Sequence, residues 1–161
     1  MKLEEAEKYA AQVTNAISSL CEEMLVVGSI RRRRPEVNDI DLVVIPGPWY
    51  WNSIPSYLKT QLKLQFVEGG PDLLRMTFPK PINLQVDIYR ATPKTWGVLT
   101  LIRTGSTDHN IKLCSWAKSM GLMLSAKDGV IREGRVIASK TEEEIFKALC
   151  LDYVAPEKRE V

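Results

Sequence analysis

The sequence predicts an α+β fold in two lobes: a mixed-sheet lobe over residues 1–93 and a smaller, helix-rich lobe with a short β-hairpin or sheet over residues 94–161. Three observations predict it. Apolar residues at helical spacing open the chain. Short β-rich runs separated by glycine and proline then fill the stretch to about residue 90. Beyond residue 92 the pattern turns helical and breaks at Thr104-Gly105-Ser106.

Leu3, Ala6, Ala10, Val13, Ala16, Ile17 and Leu20 recur at intervals of three and four, which predicts an amphipathic helix over 3–21. The apolar run 24–27 ends at Gly28-Ser29 and reads as a strand entering a turn. A second strand is predicted over 40–45, closed by Pro46-Gly47-Pro48, and a short helix over 51–62 with Pro55 in its first turn. Three further strands are expected over 63–67, 73–78 and 82–89, separated by Gly69-Gly70-Pro71 and Pro79-Lys80-Pro81. Thr92-Pro93 reads as an N-cap and first helical residue, opening a helix to about residue 103. Ser106 caps a second helix that Gly121 ends. Short strands punctuated by Asp128-Gly129 and Glu133-Gly134 follow, and Thr141-Glu142-Glu143-Glu144 is a capping box before an apolar helix.

Composition narrows the classes. Hydrophobic content of 45% and charged content of 26% are those of an ordinary globular chain. No apolar run approaches the roughly 20 residues that span a bilayer. The opening Met1-Lys2-Leu3-Glu4-Glu5 is not a secretion signal, so an intracellular, cytoplasmic or nucleoid location and no membrane partner are expected. Cys21, Cys114 and Cys150 are far apart and His109 is the only histidine, which argues against a zinc site or a disulfide framework. The net charge of +2 is too small to imply a nucleic-acid partner, but Arg31 to Arg34 form a basic run in an otherwise balanced chain.

The chemistry is in the carboxylates. In Asp39-Ile40-Asp41 two acids lie two residues apart at the entry to a strand, so both face the same way. Like charges side by side call for a cation, and an oxygen-only site suits Mg²⁺ or Mn²⁺. Asp87 sits on the opposite parity to Val86 and Ile88 in a second alternating strand. If the two strands are neighbours, three acids converge, enough to hold two divalent ions for an in-line phosphoryl displacement. Ahead of them, Gly28-Ser29 offers backbone N–H groups and a hydroxyl, and Arg31 to Arg34 offer guanidinium groups, all suited to phosphate oxygens.

A Gly-Ser followed by Asp-x-Asp resembles the nucleotidyltransferase superfamily. The form Gly28-Ser29-Ile30-Arg31-Arg32, with carboxylates eleven and thirteen residues after the glycine, is similar to family X DNA polymerases. Thr104-Gly105-Ser106 with Asn110 four residues on resembles the element with which those enzymes hold the incoming sugar and base. The closing stretch 144–159, with Tyr153 and Pro156-Glu157-Lys158-Arg159, is a third match. The resemblance implies a palm over 1–93 and a nucleotide-binding thumb or fingers lobe over 94–161. It implies that Asp39 and Asp41 serve two Mg²⁺ or Mn²⁺ ions and Asp87 the catalytic one. Gly28, Ser29 and Arg32 would bind the triphosphate, Gly105 and Ser106 border the sugar, and Asn110 touch the base edge. The implied partners are nucleoside triphosphates and primer-template or gapped DNA, in a repair-type gap filling or primer extension by a monomer.

This chain departs from the family at several positions. Ile102-Arg103 stand where an aromatic or bulky pair is common, which leaves sugar discrimination unassigned. Gln85 stands where many members have an arginine, implying weaker primer-terminus activation, and Cys114 replaces a frequent template-contacting arginine. With no lyase domain or helix-hairpin-helix element in these residues, a minimal form with weak, salt-sensitive DNA binding is expected. Lys94, Arg103, Lys112 and Lys118 are the candidate DNA contacts, and a protein partner could supply further grip. The alternatives are a template-independent terminal or small-molecule nucleotidyltransferase and a non-catalytic binding module. Trp49 and Trp51 are expected to pack under the proline-rich loop, Trp96 and Trp116 in the core, and His109 on a helix surface.

Overall fold

The computed structural model describes residues 1–160. Its chain divides into two units, Met1–Ala91 and a second opening at Thr92. The first is a five-stranded mixed sheet with helices, and the second pairs helices with a three-stranded antiparallel sheet.

In the first unit, three residues separate α1 (Leu3–Ile17) from the strand β1 (Cys21–Val26). The opening helix is therefore shorter than its apolar spacing predicts. Leu20 continues the pattern from a 3₁₀ turn, Ser18–Leu20. Gly28-Ser29 is more than a turn, because α2 (Gly28–Arg31) is a single helical turn opening on a glycine with φ of 62°. Next come β2 (Asp39–Pro46), α3 (Ile54–Leu62), β3 (Gln65–Gly69), β4 (Leu73–Phe78) and β5 (Leu84–Arg90). Pro55 lies in the first turn of α3, where its missing N–H costs nothing.

The strand order is β1-β2-β5-β4-β3, with β2 and β5 parallel and the other pairs antiparallel. Alternation separates two faces. Ile40, Leu42, Val44, Leu74, Met76, Phe78, Val86 and Ile88 are buried in one cluster with Ala6, Ala10, Val13, Ile54 and Leu58 of α1 and α3. The residues of opposite parity, Asp39, Asp41, Gln85, Asp87 and Arg75, lie on the other face. Burial of one face thus dictates where every acid of the other face points, since a one-residue slip would turn the apolar set out.

In the second unit, α4 (Trp96–Thr104) begins later than the Thr92-Pro93 signal predicts. Thr92 and Thr95 instead close a turn on each other: Thr95 N–H donates to Thr92 O at 3.0 Å, and Thr92 N–H to Thr95 Oγ1 at 3.0 Å. Side-chain competition for backbone donors of this kind delays helix entry. Ser106 caps α5 (Thr107–Ser119), its hydroxyl accepting from His109 N–H at 3.2 Å. Strands β6 (Met123–Ser125), β7 (Gly129–Arg132) and β8 (Arg135–Ala138) form the small sheet. Thr141 caps α6 (Glu142–Ala148), while the Glu144 carboxylate reaches back to the Lys140 N–H at 3.0 Å and the Ser139 N–H at 3.3 Å.

Three aromatic expectations and the histidine are corrected. Trp51 is buried and donates from Nε1 to Gly70 O at 2.9 Å, but Trp49 is 95% exposed. Trp116 is 45% exposed, its Nε1 held by Leu149 O at 2.7 Å, and Trp96 is only half-buried. His109 is only 6% exposed, beside Phe146. The apolar positions of α5 place Leu113 and Ala117 inward, and His109 lies four residues before Leu113 on that same face.

Candidate active site

The three acids meet through strand pairing. In the parallel β2–β5 ladder Asp41 is directly opposite Asp87, and Asp39 is opposite Gln85. Asp87 is buried, and Asp39 and Asp41 are half-buried. Burial, with the Asp87 charge nearby, raises the Asp39 proton affinity, partly offset by Arg75. Two carboxylates that disturb each other at a half-buried site are what a divalent cation relieves.

Asp41 is also set by the turn ahead of it. Val27 N–H donates to Asp41 O at 2.8 Å, fixing the α2 turn against the start of β2. A Cβ placed on Gly28 would lie 2.3 Å from Asp41 Oδ2. Glycine is required there twice over, by its left-handed φ and by the carboxylate packed against it. Ser29 follows, and its Oγ is buried with no hydrogen-bond partner in the protein. Arg32 N–H and Arg34 N–H return to Gly28 O at 3.2 Å and Ser29 O at 3.0 Å, so the arginine run wraps this turn.

Asp87 is not free. Arg75, its partner across the β4–β5 ladder, donates from Nε to Oδ1 at 2.7 Å and from Nη2 to Oδ2 at 2.9 Å. Gln85 Nε2 adds a third donor to Oδ2 at 3.2 Å. An arginine thus reaches Asp87 from β4, while Gln85 stands two residues before it on the same strand. Arg75 is the partner of Asp87 that sequence reasoning missed. Its one legible signal is a lone cation at polar parity in the run Leu73–Phe78. The bidentate pair holds the guanidinium proton tightly, chiefly through the hydrogen bonds to Asp87. Among the described residues no three acid, histidine or cysteine groups form a ready-made metal cage. The residues nonetheless fit a divalent ion in their chemistry: oxygen donors on neighbouring strands, a raised Asp39 and a glycine cradle against Asp41.

In the second unit Gly105 ends α4 and is buried, and Ser106 N–H donates to Arg159 O at 2.9 Å. Asn110 turns its amide inward, donating from Nδ2 to Ile102 O at 2.8 Å, with Oδ1 buried and unpartnered. Arg159 is fully buried in a pair with Glu142, Nη2 to Oε2 at 3.0 Å, and stacks on Phe146 and Tyr153. The closing stretch thereby carries the Gly105-Ser106 turn. Lys94, Arg103, Lys112 and Lys118 are all exposed. No helix among the described residues is long and apolar enough to cross a membrane.

Residues 99–160 match the family described as DNA polymerase beta thumb. The whole chain superposes on the structure titled "Crystal structure of Leishmania infantum polymerase beta: Ternary P/T complex" with a TM-score of 0.83 and 18% sequence identity, covering 100% of this chain and 77% of that one. No curated protein matches the chain.

Proposed function

We propose, from the match of residues 99–160 to the DNA polymerase beta thumb family and from the fold shared with a polymerase beta structure, a metal-dependent nucleotidyltransferase that extends a primer 3′-hydroxyl from nucleoside triphosphates. One observation carries it: the ladder that sets Asp41 against Asp87, with Asp39 on the same face and Gly28 packed on Asp41. Asp39 and Asp41 would hold two Mg²⁺ or Mn²⁺ ions, with Asp87 completing the catalytic one. Such ions supply activation of the attacking oxygen and neutralisation of the leaving one.

The chain's own residues do the positioning. Ser29 Oγ, buried and unsatisfied, suits a phosphate oxygen, and Arg32 adds charge to the same anion. The 3′-hydroxyl gives its proton to water as its oxygen bonds to the α-phosphorus and the bond to the bridging oxygen breaks, releasing pyrophosphate. Most of the acceleration then comes from alignment and from charge placed before the reaction begins. In the second unit Gly105 and Ser106 would border the sugar and Asn110 the base edge. Template-directed filling of short DNA gaps, a repair role and a monomeric state belong to this reading.

Cys114 favours a second reading. It is exposed and stands where the family it resembles often has a template-contacting arginine, a contact that template-directed synthesis uses. A template-independent transferase has no such need. Primer extension with each nucleotide separately, on gapped, recessed and single-stranded DNA, distinguishes the two. Incorporation set by the template base supports the first, and equal use of all nucleotides or extension of the single strand supports the second. Activity undiminished in Asp39→Ala and Asp87→Ala would refute both.

A further inference from the structure

Four charged residues stand in one row across the sheet. Asp41 of β2 pairs with Asp87 of β5, Asp87 with Arg75 of β4, and Arg75 with Glu68 of β3. The Arg75 guanidinium is shared between the two acids beside it: Nε and Nη2 bind Asp87, and Nη1 lies 3.2 Å from Glu68 Oε1. β3 is an edge strand, so Glu68 belongs to the rim of the sheet and is exposed.

A bulge makes this row. Phe66 pairs with Met76, and an unbroken register would put Val67 opposite Arg75. One extra residue is instead inserted between Phe66 and Glu68, and Glu68 faces Arg75. Bulges re-aim side chains in this way. The apolar Val67 is displaced from the ladder, and an acid takes the place beside the cation.

Resting on the function proposed above, we propose that Arg75 and Glu68 are positioning residues that control access of divalent cations to Asp87. In the cation-free protein Arg75 neutralises Asp87, which lies directly opposite Asp41 in the row. An incoming cation competes with the guanidinium for the same two carboxylate oxygens. Glu68 is a second acceptor within reach, so Arg75 can loosen from Asp87 and keep a paired carboxylate. The side chain needs to shift its balance between two acids that it already touches, with no rearrangement of strands. Neither residue contacts the reacting atoms; both act through Asp87.

The two residues therefore have opposite effects on cation affinity, which a general loss of folding cannot mimic. The test is Mn²⁺ binding by the full chain, with Mn²⁺ alone as probe, followed by the electron paramagnetic resonance signal of the free ion. Arg75→Gln, which removes the competitor, should tighten Mn²⁺ by about fivefold. Glu68→Gln, an exposed and nearly isosteric change, should weaken it by about two- to threefold, because Arg75 then has only Asp87 to hold. Arg75→Lys, which keeps the charge but loses the planar fork, should fall between the parent and Arg75→Gln.

Asp87→Asn separates this inference from the reading beneath it. If Asp87→Asn weakens Mn²⁺ while Arg75→Gln and Glu68→Gln match the parent, Asp87 is a ligand and the control by Arg75 and Glu68 is overturned. A decrease in affinity in Arg75→Gln overturns it equally, since Arg75 would then support the ligand rather than compete for it. If Asp87→Asn leaves Mn²⁺ binding unchanged, the metal-site reading and this inference fail together.

Discussion

Replacing Gly28 by alanine perturbs one atom at the centre of the site. The added Cβ would stand 2.3 Å from Asp41 Oδ2, 3.1 Å from Cγ and 3.2 Å from the Asp41 Cβ, where ordinary contact begins near 3.4 Å. The carboxylate oxygen must retreat by 3.4 − 2.3 = 1.1 Å. Strand β2 cannot yield instead, because Asp41 O is tied to Val27 N–H and β2 is laddered on both sides. A misplacement of about 1 Å at a catalytic group can cost on the order of a hundredfold in rate. The left-handed φ of 62° adds backbone strain of about 1–2 kcal/mol for any residue with a Cβ. Gly121→Ala is the control: φ there is 73°, with nothing within 4 Å of the new methyl. Urea unfolding should show both variants destabilised by about 1–2 kcal/mol. Primer extension should show only Gly28→Ala slowed, by about a hundredfold. A Gly28→Ala enzyme within about threefold of the parent rate, well short of the cost of such a displacement, would refute the claim that Gly28 keeps room for the Asp41 carboxylate.

Three more expectations concern the second unit and the metal-free site. Arg159→Ala breaks a buried ion pair by removing the guanidinium that meets Glu142 and should cost about 3–5 kcal/mol, read as a lower melting temperature. His109 is held neutral to about pH 4, first by burial and then by the Arg159 and Lys112 charges. Its contribution to stability is therefore complete above the unfolded value of 6.5 and is lost as pH falls towards 4. The slope in that window is at most about 1.4 kcal/mol per pH unit, and urea midpoints of His109→Leu between these pH values should lack it. Asp39→Asn removes a carboxylate that burial and Asp87 both disfavour, so the metal-free protein should melt at a slightly higher temperature while Mn²⁺ binding weakens. A variant that melts lower would show that Asp39 is not under electrostatic strain.

Local rules made much of this protein legible. The period of two around Asp39 and Asp41 placed both acids on the face opposite Ile40 and Leu42, because successive side chains of a strand alternate and one face must be buried. Ser106 and Thr141 were readable as caps, since a hydroxyl before a helix satisfies donors within three residues of itself. His109 was misread because the depth of a single helix face depends on what packs over it, here Phe146 from α6. Trp49 was misread for the same reason in reverse: among the described residues no element covers it.

Pairing between strands was the part that chain order does not carry. Asp41 meets Asp87 only because β5 enters parallel beside β2 after α3, β3 and β4 have intervened. Arg75 reaches Asp87 only in the register that β4 and β5 adopt, and Glu68 reaches Arg75 only through a one-residue bulge. The types of the residues, their parity and their caps follow from interactions a few residues long, and the sequence by itself determined them. Which acid faces which cation depends on long-range register, which is decided when the buried faces of several strands pack together, and only the tertiary structure supplied it.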